Sequence, residues 1–259
     1  MFTFGIQQGR ILPDIPGTYQ NFPALWEHEP TLASDYGFGS IELVDDHNGH
    51  CLHSIQSGAL IKFDACPASS LCAASMTTLE GEAVRAERFK KIAAATHNSE
   101  IETVVVPFLE SNACESTQHL IDCLGHIAEV MDTEGATFAL CIESDLAQDA
   151  CVDAIRQLES NTQFSICLDT GNEAASGRDP AKFLSEYSNY IGHVHLKDRR
   201  LNGPNVQPGT GSVDFLEVFS ALKSVNYSGR LILETAHGSD PKASAQRNIK
   251  FFQSRAAQA

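Results

Sequence analysis

Short apolar runs alternate with longer amphipathic stretches along most of the 259-residue chain. The run Glu102–Phe108 is rich in β-branched residues and predicts a buried strand. In Ser116–Met131 apolar side chains recur every three or four positions, which predicts a helix with Ser116 as its N-cap. Further strands are predicted at 2–6, 40–44, 137–142, 164–168, 191–196 and 230–233, and further helices at 30–36, 82–97, 147–159, 180–190, 213–225 and 241–253.

The alternation of strands and helices predicts the fold class, α/β. Residues 51–80 are the least regular, and 59–63 and 71–75 compete for one more strand. With either of them the chain holds eight strand–helix units, which indicates a parallel sheet with helical crossovers. Eight units in a chain of this length favour a (β/α)8 TIM barrel that forms a single domain over residues 1–259. An open doubly wound sheet is the alternative, although its usual glycine-rich fingerprint after the first strand is absent.

Polar residues close four consecutive predicted strands, and active sites of TIM barrels lie at this end of the strands. Three carboxylates at one depth would repel one another, and a divalent cation relieves that repulsion. A mixed oxygen and nitrogen donor set suits Mn²⁺, Co²⁺, Mg²⁺ or Zn²⁺. Each residue alone is better explained as a cap of a loop or helix, but the repeated position favours one site for all of them. The four residues are Glu143, Asp169, His195 and Glu234.

The segments around these residues resemble a known superfamily, the xylose isomerase-like TIM barrels. The similarity is to the sugar phosphate isomerase/epimerase branch (AP endonuclease 2-like), which includes D-tagatose 3-epimerase, hydroxypyruvate isomerase, inosose dehydratase and endonuclease IV. The more specific segments are IES, LDTGN, HVHLKD, PGTGSVDF and LILE. The opening is similar to some bacterial members at Gly5, Gln8, Gly9, Arg10, Phe22, Pro23, Trp26, Glu27, Glu29, Gly37, Phe38, Ser40, Ile41 and Glu42.

The resemblance implies a metal-dependent enzyme of the isomerase or epimerase type. Its metal ligands would be Glu143, Asp169, His195 and Glu234, binding one divalent ion, and Glu143 and Glu234 would also move protons. The implied substrate is a small polyhydroxy carbonyl compound, a sugar or sugar phosphate. The implied route is removal of a proton beside the carbonyl, a metal-stabilised cis-enediolate, and return of the proton.

One departure from the family pattern leaves alternative functions open. Relatives usually have Asp-x-x-His after the sixth strand, whereas this chain has Asn172, which can bind a hydroxyl but is a poor metal ligand. A metal-dependent dehydratase of the inosose dehydratase type and a hydroxypyruvate isomerase-like enzyme keep the same centre. A sugar-binding barrel without catalysis is a further alternative. An endonuclease IV-like phosphodiesterase is disfavoured, because the stretch after the seventh strand lacks the additional histidine that such enzymes use.

Four residues are candidates for contacts with substrate: Glu42, Asn172, Lys197 and Arg199. Lys197 and Arg199 belong to a local basic cluster where a phosphate or carboxylate could dock, although a solvated loop explains them equally well. His193 is interpreted as a core histidine beneath the metal. The turn Gly209–Ser212 resembles an anion-binding loop, although a loop that needs a positive φ is the more common explanation.

The composition of the chain limits the kinds of molecule that it is expected to bind. The formal net charge of −15 argues against nucleic acid and against anionic membranes, because both require basic surfaces. No apolar run is long enough to span a bilayer, and the start of the chain lacks a secretory signal pattern. The eight scattered cysteines predict reduced thiols that serve as small apolar residues, and therefore a cytoplasmic protein. A homo-oligomer is possible on these data.

Overall fold

A computed structural model of the chain describes residues 2–13, 25–45, 50–57, 66–77, 82–97, 99–109, 113–158 and 164–259. The strands are β1 Thr3–Gln7, β2 Ser40–Val44, β3 Ala68–Cys72, β4 Thr103–Phe108, β5 Ala139–Ser144, β6 Phe164–Asp169, β7 Ile191–Leu196, β8 Asp198–Arg199, β9 Asn205–Val206 and β10 Arg230–Leu233. The helices are α1 Glu29–Asp35, α2 His50–Gln56, α3 Glu82–Thr96, α4 Thr117–Glu134, α5 Gln148–Gln157, α6 Thr170–Ala175, α7 Pro180–Tyr187, α8 Phe215–Ser224 and α9 Pro241–Gln258.

Eight of the strands form a closed barrel in the order β1-β2-β3-β4-β5-β6-β7-β10. Neighbouring strands such as β1 and β10 run parallel, with Gly5 opposite Ile232. The short strands β8 and β9 pair only with each other. The predicted (β/α)8 TIM barrel is therefore confirmed, and the open sheet is excluded.

By contacts along the chain, the residues group into two compact units. The first unit comprises residues 1–42, 65–67 and 167–259, and the second comprises residues 43–64 and 68–166. In the first unit, Phe215 and Phe252 pack with ring centroids 4.9 Å apart, in an edge-to-face arrangement. In the second unit, Phe89 of α3 and Phe138 pack in the same manner at 6.1 Å.

The local sequence explains where the helices begin. The Ser116 side chain accepts a hydrogen bond from the His119 backbone N–H, which confirms it as the N-cap of α4. Asp179, Asp214 and Asp240 cap α7, α8 and α9 in the same way, each with its carboxylate at the positive end of the helix dipole.

The structure differs from the sequence prediction mainly in the bounds of strand β3 and in the presence of two short helices, α2 and α6. The third barrel strand is Ala68–Cys72, so the predicted strand at 71–75 begins three residues too late, while 59–63 lies outside the described residues. Helix α2 and the six-residue helix α6 have no counterpart in the prediction. Both are short, with seven and six residues, so a helical period is difficult to recognise in their sequences.

The helices and the cysteines of the structure can be compared with the expectations about membrane spans and thiols. No helix in the described ranges combines the length and the apolar character that crossing a bilayer requires. All eight cysteines are free thiols, and seven of them are buried.

Candidate metal centre

Three of the four predicted metal ligands meet in the first unit. Asp169 is the last residue of β6, His195 is the penultimate residue of β7, and Glu234 directly follows β10. One donor atom from each of them lies within 4.8 Å of the others. The carboxyl ends of these strands therefore converge on one donor set, as expected for a TIM barrel.

Glu143, the fourth predicted ligand, belongs to the second unit. It is the penultimate residue of β5, is buried, and stands opposite Pro107 of β4 in the strand register. Its position near the carboxyl end of its strand matches that of the other ligands. Its part in the metal centre stays a prediction.

Asp169 is oriented by the start of a helix. Its Oδ1 caps α6 by accepting a 2.7 Å hydrogen bond from the Asn172 backbone N–H. Its Oδ2 lies 2.9 Å from Lys197 Nζ. The next residue, Thr170, uses its hydroxyl to contact the backbone carbonyl and N–H of Lys197 at 2.8 and 3.0 Å. The ends of β6 and β7 are thereby fixed relative to each other.

His195 lies between two carboxylates. Its Nδ1 is 3.0 Å from Glu234 Oε2, and its Nε2 is 3.0 Å from Glu42 Oε1. Histidines that bind metals usually donate their second ring N–H to a carboxylate, which fixes the tautomer. We infer that the N–H of His195 is on Nε2, facing Glu42, and that Nδ1 carries the lone pair on the side of Glu234.

Glu42 is fully buried and serves as a common partner for the imidazoles. Its other oxygen lies 2.8 Å from His193 Nε2, and Gln7 Nε2 donates to its Oε1 at 3.1 Å. Burial alone would raise the pKa of Glu42, but the His195 and His193 imidazoles lower it well below its usual range. Glu42 lies in the middle of β2 rather than at its end. This position suits a residue that orients His195, and the predicted contact of Glu42 with substrate stays a prediction.

Glu234 is held by two cations. Lys197 Nζ lies 2.8 Å from its Oε1, and Arg10 Nη2 lies 3.4 Å from the same oxygen. Burial would raise the pKa of Glu234, but Lys197, His195 and Arg10 lower it far below the ordinary value of a carboxyl group. Glu234 is therefore ionised at neutral pH.

The residues of this centre fit a divalent cation. The donor set of two carboxylates and one imidazole is one that Mn²⁺, Co²⁺, Mg²⁺ and Zn²⁺ accept. The three carboxylates of the network outnumber its two permanent cations, so a net negative charge remains to attract a metal ion. The three carboxylates are Asp169, Glu234 and Glu42, and the two cations are Lys197 and Arg10.

Two predicted substrate-binding residues contact each other. Arg199 Nη1 donates a 2.8 Å hydrogen bond to the side-chain oxygen of Asn172, and the guanidinium also donates to the Gly203 carbonyl. This contact braces the hairpin β8–β9 against α6. The role of both residues toward substrate stays a prediction.

The turn Gly209–Ser212 is occupied by a side chain of the protein itself. The backbone N–H groups of Gly209 and Gly211 donate to Asp198 Oδ2 at 2.8 and 2.9 Å. Gly209 has a φ of +84°, a conformation that favours glycine. The explanation as a loop with a positive φ therefore holds, because an internal carboxylate takes the position that an external anion would use.

The comparisons with known proteins bear on the whole barrel. Residues 30–255 match the sequence profile of the family described as xylose isomerase-like TIM barrel. The chain belongs to this family. The xylose isomerase-like barrel is also 32% identical to an inosose dehydratase of Clostridium tetani over 127 residues, which are 41% of this chain and 43% of the relative. The chain thus matches less than half of the length of that relative.

Solved structures with the same fold are more distant in sequence. The 3-keto-D-glucoside 4-epimerase YcjR from E. coli superposes with a TM-score of 0.74 at 18% identity, covering 98% of this chain and all of that one. The IOLI protein, solved with a zinc atom, gives a TM-score of 0.73 at 15% identity, covering 99% and 97%. At these identities the likeness shows the fold.

Two polar residues of this xylose isomerase-like barrel, Gln7 and Glu29, were not predicted from the sequence as parts of the site. Gln7 accepts from Arg10 at 2.9 Å and donates to Glu42, and so links the two. Glu29 accepts the backbone N–H groups of Gly9, Ile11 and Leu12, which fixes the loop that carries Arg10. Gln7 ends β1, so the strand-end rule that found the metal ligands would also have found it; Glu29 has no comparable signal.

We expect the substitution Glu42→Gln to weaken metal binding by about 10–100-fold, the usual effect of losing such a partner. Glutamine carries no charge and can present an N–H to His195 Nε2, which would favour the wrong tautomer. The measurement is a metal titration against a competing chelator. Glu173→Gln, which alters a buried carboxylate paired with Arg178 instead, serves as the control and should leave the affinity unchanged. Equal affinities in wild type and Glu42→Gln would contradict the assigned role.

We expect Glu29→Gln to lower the free energy of unfolding by about 1–3 kcal/mol at pH 5, because the amide cannot accept all three backbone N–H groups. Burial raises the pKa of Glu29 to about 7, against the opposing effect of those N–H groups. A carboxyl with a raised pKa in the folded state contributes stability that is lost as pH rises from about 4.5 to about 7. The deficit of Glu29→Gln should therefore shrink across this window by at most about 1.4 kcal/mol per pH unit. Urea unfolding of both proteins at several pH values measures the difference in stability. A difference that grows with pH would contradict the raised pKa of Glu29.

Proposed function

We propose that this protein is a divalent-metal-dependent isomerase or epimerase acting on a small sugar or sugar phosphate. The observation that carries the proposal is the donor set of Asp169, His195 and Glu234, within 4.8 Å of one another at the carboxyl ends of their strands. Membership of the xylose isomerase-like family and the sugar-processing names of its relatives support the same conclusion. The proposal specifies a divalent ion but no particular element. Zn²⁺ is one candidate, because the IOLI protein was solved with a zinc atom.

Glu234 is proposed as one of the two acid/base groups. Because it is ionised at neutral pH, its carboxylate is ready to accept the proton from the carbon beside the substrate carbonyl. A carboxylate with so low a pKa is a weak base, so the C–H bond must be made more acidic before the proton can move. When bound, a divalent cation would supply this activation by stabilising the negative charge that develops on the substrate oxygens.

Glu143 is proposed as the second acid/base group, which returns the proton to the substrate. It is buried near the carboxyl end of β5, where residues of a TIM barrel point to the substrate side. With two carboxylates in the acid/base roles, return to the opposite face gives epimerisation, and return to the neighbouring carbon gives isomerisation.

Lys197 and Arg10 are proposed to hold the charge of the substrate. Both already contact Glu234, so a substrate oxygen or phosphate that replaces part of this contact would lie next to the proposed base. Asn172 and Arg199, which hydrogen-bond each other, are proposed to contact hydroxyl groups from the side of α6.

A panel of sugars and sugar phosphates, incubated in D₂O with the metal-loaded protein, tests the proposal. We expect deuterium to enter one carbon beside a carbonyl of one substrate, and the exchange to stop when a chelator removes the metal. NMR or mass spectrometry of the recovered sugar measures this and identifies the reacting position. Metal binding without exchange in any sugar would contradict the enzymatic role and favour a sugar-binding barrel.

A dehydratase is the second candidate, because the relatives of known name that match this chain include inosose dehydratases. Proton removal by the same carboxylate, followed by loss of a hydroxyl on the next carbon, would give an unsaturated product. Detection of that product, with no return of deuterium to the starting sugar, would decide for the dehydratase. A hydroxypyruvate isomerase-like reaction would instead be recognised within the same panel by its smaller substrate. A cytoplasmic location and a homo-oligomeric state stay predictions.

A further inference from the structure

A second cluster of metal-binding side chains lies in the second unit, at the start of α4. Cys114, His119 and Cys123 each offer one donor atom, and these three atoms lie within 4.8 Å of one another. Cys114 is buried and the other two are half-buried. A role of these cysteines as small apolar residues does not account for an imidazole next to two thiols.

The local fold of the chain explains the cluster. His119 and Cys123 are four residues apart on α4, so they share one face of the helix. Ser116 caps the helix in an extended conformation, with φ −158° and ψ 164°. Cys114 precedes this cap by two residues, and its sulfur lies within 4.8 Å of the donor atoms of His119 and Cys123. The Glu115 backbone N–H lies 3.4 Å from His119 Nδ1, which makes this hydrogen bond long and therefore weak.

A cavity of about 590 Å³ opens next to this cluster. His119 and Cys123 line it, together with apolar side chains such as Phe89 and Val130 and the carboxylates of Asp122 and Glu129. Zinc sites with three protein ligands keep their fourth position for water or another small ligand, whereas structural sites are closed by four protein ligands. A cluster of three ligands at the wall of a cavity therefore matches a site whose fourth position is open to a small ligand.

The chemistry of the thiols favours a soft metal ion. A hydrogen bond from Cys114 lowers the pKa of the Cys123 thiol to about 6, with further help from His119 and Arg85, and the same contact raises the pKa of Cys114. Thiolate is the form of cysteine that binds metals, so binding would release thiol protons to solvent.

We propose that Cys114, His119 and Cys123 bind a thiophilic metal ion such as Zn²⁺, with one coordination position open to the adjoining cavity. This site is independent of the centre in the first unit, because it shares no residue with Asp169, His195 and Glu234. Two thiolates and an imidazole select Zn²⁺ over the oxygen-preferring Mg²⁺ and Mn²⁺.

Cobalt titration of the metal-stripped full-length protein tests the proposal, since Co²⁺ bound to thiolate gives an intense charge-transfer absorption that oxygen and nitrogen ligands do not give. We expect wild type, which offers two proposed sites for Co²⁺, to develop this absorption within the first two equivalents, and His195→Ala to develop it within one. The double substitution Cys114→Ser with Cys123→Ser should abolish it, and His119→Gln should weaken the binding by at least about tenfold, in line with loss of one ligand. Cys66→Ser, a buried cysteine outside the cluster, is the matched control and should keep the absorption.

A further variant distinguishes metal binding at this cluster from metal binding at the centre of the first unit. His195→Ala should remove any binding at the centre of the first unit and leave the thiolate absorption intact, so the outcome for this cluster does not depend on the proposed enzymatic function. The absence of the absorption in wild type, or its persistence in the double variant, would overturn the proposal. If the double variant does not fold, thiol labelling of wild type decides instead: Zn²⁺ should protect two cysteines, and an unchanged number of reactive thiols would overturn the proposal.

Discussion

Glu234→Gln is expected to lower the rate of deuterium exchange into the substrate by about 10²–10⁴-fold, the usual loss when a general base is removed. The amide retains an oxygen that can bind a metal ion but cannot accept a proton. The carboxylate of Glu234 suits this role because it lies 3.0 Å from His195 and 2.8 Å from Lys197 and is ionised at neutral pH. The measurement is the exchange rate with saturating metal and with the substrate found in the sugar panel.

Metal content must be determined for the same samples, because Glu234 has two proposed roles. A loss of exchange with metal still bound assigns proton transfer, whereas a loss of both together assigns a ligand role alone. Glu173→Gln, which changes a buried glutamate of the same unit that pairs with Arg178, is the control and should keep the exchange rate. Full activity of Glu234→Gln with metal bound would remove it from the acid/base pair. The same experiment with Glu143→Gln tests the second acid/base group.

The fold could be predicted because its signals are local and repeated. Strands such as β4 are continuous runs of buried β-branched residues, and helices such as α4 have a clear period and a capping serine. The regions that failed lack these features. Strand β3 reads Ala-Ser-Ser-Leu-Cys, in which polar and small residues replace the usual apolar run, and its packing inside the barrel determines its conformation.

The grouping of Asp169, His195 and Glu234 could be predicted from the sequence, but the contacts that orient these residues could not. Asp169, His195 and Glu234 each follow an apolar run, and that position can be recognised in the sequence. The contacts of Glu42 with His193 and His195 join residues about 150 positions apart, and no spacing rule finds them. The ammonium group of Lys197 lies between the carboxylates of Asp169 and Glu234, a contact that the sequence does not reveal, and its predicted contact with a substrate anion stays a prediction.

Lys197→Met is expected to have the largest effect on stability of any substitution in this centre. In the metal-stripped protein, the change leaves Asp169 and Glu234 without the ammonium group that lies 2.9 and 2.8 Å from them. Removing one partner of a buried ion pair costs about 3–5 kcal/mol, because the remaining charge stays buried and uncompensated. Urea unfolding of the stripped protein should show this loss. Lys182→Met, at an exposed lysine paired with Glu186, is the control and should change stability by less than about 1 kcal/mol.

The same substitution is expected to strengthen metal binding, and this distinguishes two roles of the lysine. If the ammonium group competes with the metal for the two carboxylates, its removal lets the metal relieve their repulsion, and affinity should rise at least about tenfold, equivalent to about 1.4 kcal/mol. Added metal should then restore more stability to Lys197→Met than to wild type, since a ligand stabilises the folded state in proportion to the logarithm of its concentration over Kd. If Lys197 instead supports the metal-bound arrangement of Asp169, affinity should fall. A chelator-competition titration of both proteins measures the difference, and a lower affinity in Lys197→Met would show that the lysine acts with the metal rather than against it.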